Sequence, residues 1–244
     1  MKVFLSFSRI EAFQSCPLKF KYQFIEKTPF IPTVHTVFGK SLHEAIAIFG
    51  ESKKEKKKIS IEDLTKKFLE QWNSEVNLIE PKINDEEEWI SKGKIYLKSF
   101  FRREGLKSNS NPLLIEKKFN FDIEENTKFT GIFDRVDKDL INNEIIIMEF
   151  KTHLNRTFSL LQLQIYCYSY LRLYKKLPKN AYLSSIESGE VIEYKPNEND
   201  MKSIHKLILK ISKSIRDEKF YAKPSMNNCR FCVAKDKCES VFKK

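Results

Sequence analysis

Glu149 and Lys151 stand two residues apart in the run Glu149-Phe150-Lys151, downstream of Gly131-Ile132-Phe133-Asp134-Arg135-Val136-Asp137. Alternate side chains of a strand share a face, so this spacing puts Glu149 and Lys151 on one side, with Phe150 buried behind them. With Asp134 on a neighbouring strand, the carboxylates form a hard oxygen site suited to Mg2+ or Mn2+. A lysine beside such an ion orients an attacking water or stabilises charge growing on a phosphoryl oxygen. Taken alone the pattern is weak, because charged residues end many edge strands.

His43, in Phe38-Gly39-Lys40-Ser41-Leu42-His43, offers an imidazole ligand from a helix. Gly39-Lys40-Ser41 resembles the end of a phosphate-binding loop, but Val34 stands where its first glycine is required. His43-Glu44 starts a zinc-protease pattern, and Ala47 occupies the second histidine position. Both of those chemistries are excluded. Gln162 and Tyr166 lie four apart on a helix after Lys151 and so share one face, within reach of a phosphate or nucleotide.

The other concentrated signal is Cys229-x2-Cys232-x5-Cys238, with Cys16 far upstream. Three clustered thiols need a fourth ligand, and Cys16 is the candidate because Cys167 falls on an apolar helical face. Four thiolates suit Zn2+ or an iron–sulfur cluster, and the lone ligand plus a distal three favours the cluster over a zinc ribbon's two close pairs.

Elements must position these residues. Ser8-Arg9-Ile10-Glu11 reads as a capping box opening a helix to about Lys27, kinked or split into two segments at Pro17. Further helices are expected near 37–51, 61–78 and 86–104, with Pro81 between the last two and a charged connector at 53–58. Strands are expected at 113–123, 128–136 and 144–151, with turns at Glu124-Glu125-Asn126 and Asn142-Asn143. A helix near 158–174, strands at 181–186 and 191–194 and a basic helix near 198–219 complete the pattern, before an irregular cysteine-bearing end. This order predicts an α/β fold in one domain of 1–244: N-terminal helices (1–52), a helical insertion (53–111), a catalytic sheet core (112–195) and a basic helix with the cysteine segment (196–244).

The 244 residues carry a formal charge of +11, with 6 Gly and 8 Pro, which argues against disorder. Charge is uneven: residues 1–58 sum to +6, 59–200 to −3 and 201–244 to +8. Positive ends and an acidic centre attract polyanions, nucleic acid before anionic membrane. The longest apolar runs are too short to span a bilayer, and no signal peptide is evident, which predicts a cytoplasmic protein without disulfides.

In order and combination, these motifs resemble the PD-(D/E)XK nuclease superfamily, in its RecB-like branch with an iron–sulfur staple. The resemblance runs from Ser6-x-Ser8-Arg9-Ile10 and Cys16-Pro17 through His43, Asp134-Arg135-x-Asp137, Glu149-x-Lys151-Thr152 and Gln162-x3-Tyr166 to the final cysteines. It implies a restriction-endonuclease-like core with a central mixed sheet flanked by helices. His43, Asp134 and Glu149, helped by the Phe150 carbonyl, would hold Mg2+ or Mn2+, and Lys151 would be the catalytic lysine. Gln162 and Tyr166 would contact DNA or the reacting phosphate. Cys16, Cys229, Cys232 and Cys238 would hold a structural [4Fe–4S] cluster, with Zn2+ the alternative. Two departures stand out: Phe133 replaces the proline usual before the first aspartate, and position 149 is Glu where Asp is commoner. Glu116 matches a recurrent acidic position without an assigned role. The implied activity is a DNA exonuclease acting on ends or single strands in repair, recombination or CRISPR spacer acquisition, with a helicase or an integration protein as partner. The alternative is a non-catalytic iron–sulfur DNA-binding subunit of a helicase–nuclease complex.

Overall fold

The computed structural model describes residues 2–80, 82–106, 109–154, 156–230, 232 and 234–240, with the side chains of 156, 157 and 236 excepted. Pro81, expected to separate two helices, and Phe231, inside the cysteine motif, lie outside the described residues. The chain forms two compact units.

The first unit contains residues 1–30, 119–131 and 202–244. It opens with a strand that sequence reading missed, β1 (Val3–Leu5), paired in parallel with β3 (Thr127–Asp139) in the register Val3↔Thr127 and Leu5↔Phe129. Val3 and Leu5 are buried and Phe4 is exposed, the period of two of a half-buried strand. Three residues give too short a run for that periodicity to be read.

The first helix is shorter than expected. α1 (Phe7–Ser15) is capped by Ser6, whose hydroxyl accepts the Arg9 amide at 3.3 Å, so the cap is Ser6 and not Ser8. Cys16 is extended, at φ −160° and ψ 108°, and Pro17 opens a separate short helix, α2 (Pro17–Phe20), followed by a π-turn over Lys21–Ile25. Proline fits a first helical position because its missing N–H would be unsatisfied there anyway. The break therefore frees Cys16 from helical geometry.

Strands β2 (Ser110–Glu124) and β3 pair with each other. Their first-unit parts stack aromatic rings, with Phe121 and Phe129 centroids 5.6 Å apart. A Cβ on Gly131 would lie 2.5 Å from the Phe119 ring, so the position accepts glycine alone. α7 (Glu198–Arg216) buries Ile204, Ile208, Ile211 and Ile215, the spacing of one helical face. Its Arg216 donates to Glu124 Oε1 at 2.7 Å and to the Thr127 hydroxyl at 3.0 Å.

The second unit contains residues 31–118 and 132–201. Three helices form one layer: α3 (Val34–Lys54), α4 (Ile61–Glu75) and α5 (Glu86–Gly105). α3 starts three residues earlier than expected because Thr33 caps it, accepting the Thr36 amide. Ser60 and Asp63 make a reciprocal capping box at the start of α4, at 3.1 and 2.9 Å. Phe38, Phe68, Trp72 and Leu97 fill the layer's core. A Cβ on Gly93 would come within 2.4 Å of the Phe68 ring, which sets how closely α5 approaches α4.

The sheet of this unit is mixed. β4 (Ile145–Lys151) runs antiparallel to β3, with Arg135↔Met148, and parallel to β5 (Asn180–Ser185), with Glu149↔Leu183. β6 (Val191–Tyr194) closes antiparallel to β5. α6 (Arg156–Tyr174) supplies the crossover that parallel neighbours need. Met148 and Phe150 join the apolar core of α3–α5, and the Phe100 and Phe150 rings lie 5.6 Å apart. Glu149, one residue out of phase, faces α6. Helices thus cover both faces of a mixed sheet, in agreement with the expected α/β architecture. No described helix is long and apolar enough to cross a membrane.

Candidate active site

In β4 the pleat separates Glu149 from Phe150. Phe150 is anchored in the apolar core, which fixes the strand and holds Glu149 at 2% exposure on the opposite side. Asp134, on β3, accepts the Phe150 amide through Oδ2 at 2.8 Å, so the two acidic strands are tied together at the site. His43 enters from α3, with Nδ1 3.7 Å from Asp134 Oδ2 and 3.8 Å from Glu116 Oε1.

One ligand atom each from His43, Glu116 and Asp134 lies within 4.8 Å of the others, the one such group of donors among the described residues. Glu116, left without a role by sequence reading, thus joins His43 and Asp134. Its backbone has φ 43°, in the left-handed region, inside strand β2. That conformation is costly for a residue with a Cβ and breaks the simple alternation of strand faces. A strand pattern carries no signal for it, which is why the sequence could flag the residue but not aim it.

Glu149 has a different set of neighbours. Its Oε1 accepts from Lys151 Nζ at 2.9 Å and from Gln162 Nε2, while Oε2 is buried with no hydrogen-bond partner. Burial first, then the negative charge of Asp134, pushes its carboxyl up to about 8, against the pull of Lys151 and His43. For His43, burial disfavours the charge, but Asp134, Glu116 and Glu149 outweigh it and raise the imidazole to about 9. An orphaned buried carboxylate oxygen beside three convergent donors is a donor set that fits a hard divalent ion.

Gln162 and Tyr166 share the face of α6 that meets the sheet, and both are buried. Gln162 binds Glu149, and the Tyr166 ring packs 5.9 Å from Phe133. Burial, then Glu149 and Asp134, hold the Tyr166 hydroxyl well above its ordinary range, so it stays neutral. Gly39 lies at the site's border, where a Cβ would sit 3.4 Å from Thr152 Oγ1. Gly39, Lys40 and Ser41 are all within α3, with Ser41 donating to Val37 O at 2.8 Å and Lys40 paired to Glu75. They form no phosphate loop.

Four of the five cysteines belong to the first unit. Cys16, Cys229, Cys232 and Cys238 line one small cavity together with Lys19, Tyr22 and Lys223. The Lys223 amide donates to Cys16 Sγ at 3.3 Å, and Asn228 Nδ2 reaches Ser15 O at 2.8 Å. Among the described residues these sulfurs form no group of three within 4.8 Å, so the cavity gathers them more loosely than the carboxylate site gathers its donors. Cys167 is fully buried on α6, and burial pushes its thiol up, away from ligand chemistry.

A family model for the PD-(D/E)XK nuclease superfamily matches residues 4–239. Among solved structures, SSO0001 is similar over 100% of this chain and 89% of its own, with 13% sequence identity and a TM-score of 0.49. No curated protein matches the chain.

Proposed function

The chain belongs to the PD-(D/E)XK nuclease superfamily, and on that premise we propose that it is a divalent-metal-dependent DNA nuclease hydrolysing phosphodiester bonds. The observation that carries the reading is the convergence of His43, Glu116 and Asp134 beside the half-satisfied carboxylate of Glu149. Those four side chains, with the Phe150 carbonyl, are the proposed ligands of Mg2+ or Mn2+. Such an ion supplies Lewis-acid polarisation of the phosphoryl oxygen and a lowered pKa for the attacking water.

The protein's own groups do the rest. Lys151, held by Glu149, places an ammonium where negative charge grows on the phosphate. Gln162 keeps the Glu149 carboxylate in one orientation. The neutral, buried Tyr166 fixes the wall behind them. The charge of +11 attracts the polyanionic substrate, so affinity should fall steeply with salt.

The finer reading is an exonuclease acting on ends or single strands, and its support is the resemblance to the RecB-like branch. The same resemblance supports a [4Fe–4S] cluster on Cys16, Cys229, Cys232 and Cys238, whose thiols line one cavity. Under this reading anaerobically purified protein is brown and Cys232→Ala bleaches it. A colourless protein with stoichiometric zinc decides for Zn2+.

End-labelled single- and double-stranded DNA incubated with Mg2+ or Mn2+ tests the activity. Cleavage is expected only with metal, and Asp134→Ala and Lys151→Ala should each lower it by about a hundredfold or more. Cleavage that survives both substitutions overturns the nuclease reading.

A further inference from the structure

His153 stands two residues beyond Lys151 and takes no part in the proposed metal site. The Ile186 amide donates to Lys151 O at 2.8 Å and the Glu187 amide to Thr152 O at 3.3 Å. The strand end that carries Lys151 therefore runs, under restraint, straight into the segment that carries His153. Thr152 lies against α3, where a Cβ on Gly39 would sit 3.4 Å from its Oγ1. Gly39 is one helical turn from His43 and shares its face of α3, which puts His153 at the rim of the metal donors.

Three elements of the second unit aim the His153 ring. Glu187, in the turn between β5 and β6, meets Nδ1 through Oε2, and Tyr96 of α5 donates to its Oε1. The Tyr96 ring stands perpendicular to the imidazole, with centroids 6.3 Å apart. Burial, then Glu187, pushes the Tyr96 hydroxyl up to about 12, so it remains a donor. The bonds from Tyr96 and then His153 hold the Glu187 carboxyl below its usual range. An ionised carboxylate only accepts, so Nδ1 carries a proton and Nε2 is the nitrogen left over. The turn is itself fixed: Arg103 Nη2 donates to Ile186 O at 2.7 Å, and the Gly189 amide donates to Ser185 O at 2.9 Å.

An exposed histidine–carboxylate pair contributes only about 0–1 kcal/mol to stability. The His153 side chain is 53% exposed, and no described residue bonds its Nε2. A metal ion is a poor occupant, because no third His, Cys, Asp or Glu among the described residues joins the pair. An anion fits better. Lys151 precedes the ring by two residues, and Lys92, one turn before Tyr96 on α5, adds positive charge that acts on Glu187. A negative group arriving at Nε2 favours the imidazolium, which donates from both nitrogens.

We propose that His153 binds a phosphate of the DNA strand, adjoining the phosphate that faces Lys151. Two residues of chain span at most about 7 Å, a separation that one nucleotide step bridges. The contact rests on the nuclease reading for its substrate and concerns binding, not hydrolysis.

Fluorescence anisotropy of a labelled oligodeoxythymidylate with the full chain tests it, without metal, at about pH 6 and over a range of KCl concentrations. His153→Ala should keep the parent's thermal midpoint and weaken binding by about tenfold. The slope of log affinity against log salt should shrink by about 0.7, the value of one contact on a single strand. His153→Arg, which restores a cationic donor, should recover most of both losses. In cleavage with Mn2+ the His153→Ala defect should appear in KM. Unchanged affinity and slope in His153→Ala, no recovery in His153→Arg, or a fall in kcat at unchanged KM would each overturn the proposal. If the parent binds DNA but neither metal supports cleavage, the nuclease reading fails, and the salt slope still decides the His153 contact.

Discussion

Gln162 donates through Nε2 to the same oxygen of Glu149 that accepts from Lys151, so one helical amide fixes the carboxylate that positions the lysine. The resemblance implies that Gln162 contacts DNA or the reacting phosphate; its burial at 3% exposure and its bond to Glu149 support a role through that carboxylate.

Gln162→Leu should therefore weaken cleavage without weakening DNA binding. Outer hydrogen-bond partners of metal sites typically contribute about 10–100-fold to metal affinity or activity. Cleavage measured against Mn2+ concentration should show a raised metal requirement, partly rescued at saturation. An unchanged metal dependence together with weaker DNA binding would return Gln162 to the substrate.

Glu116 separates stability from metal binding. Its left-handed backbone costs about 1–2 kcal/mol for a residue with a Cβ, and glycine relieves that cost while adding unfolded-state entropy. Glu116→Gly should match or slightly exceed the parent in metal-free thermal stability. The rise in melting temperature on adding Mn2+ should shrink, because a ligand stabilises only the state that binds it. An undiminished rise would remove Glu116 from the site.

Arg135 and Glu104 form an ion pair at 2% and 4% side-chain exposure. Glu104→Ala leaves the guanidinium with Asp137 alone and should cost about 3–5 kcal/mol in urea unfolding. Because Asp137 lies 3.0 Å from Arg135 and is equally buried, the charges must be removed together: the triple replacement Glu104→Leu, Arg135→Met and Asp137→Leu should recover most of that loss. A triple variant as unstable as the single one would show that the cluster contributes by more than mutual neutralisation.

In the first unit, hydrogen bonds from Arg216 and Thr127 hold the Glu124 carboxyl below the usual carboxylate range. A depressed folded-state pKa adds stability that is fully present above the unfolded value, about 4.3, and is lost as pH falls through the folded one. Melting curves of the parent and Glu124→Gln should differ near neutral pH and converge in acid. A gap that stays constant with pH would mean that the carboxylate charge contributes nothing.

Local chemistry made much of this protein legible. Asp134, Glu149 and Lys151 could be placed on strands because a period of two and turn residues at 124–126 and 142–143 are properties of adjacent residues. The helices 61–78 and 86–104 were readable for the same reason, and so was the helix carrying Gln162 and Tyr166. Where side chains compete for a terminus, reading failed: Ser6 and Ser8 are both good caps, and only the turn actually formed selects Ser6.

The sequence by itself determined the residue types, their order and the periodicities that place them on an α/β framework, since these follow from backbone geometry and patterning. Only the tertiary structure decided which carboxylates meet. Glu116 joins His43 and Asp134 through a left-handed kink, while Glu149 is held by Lys151 and Gln162. It also brought Glu187 to His153 and Tyr96 to Glu187. These pairings span long stretches of chain, and a strand's alternation says which residues share a face without saying what arrives to cover it.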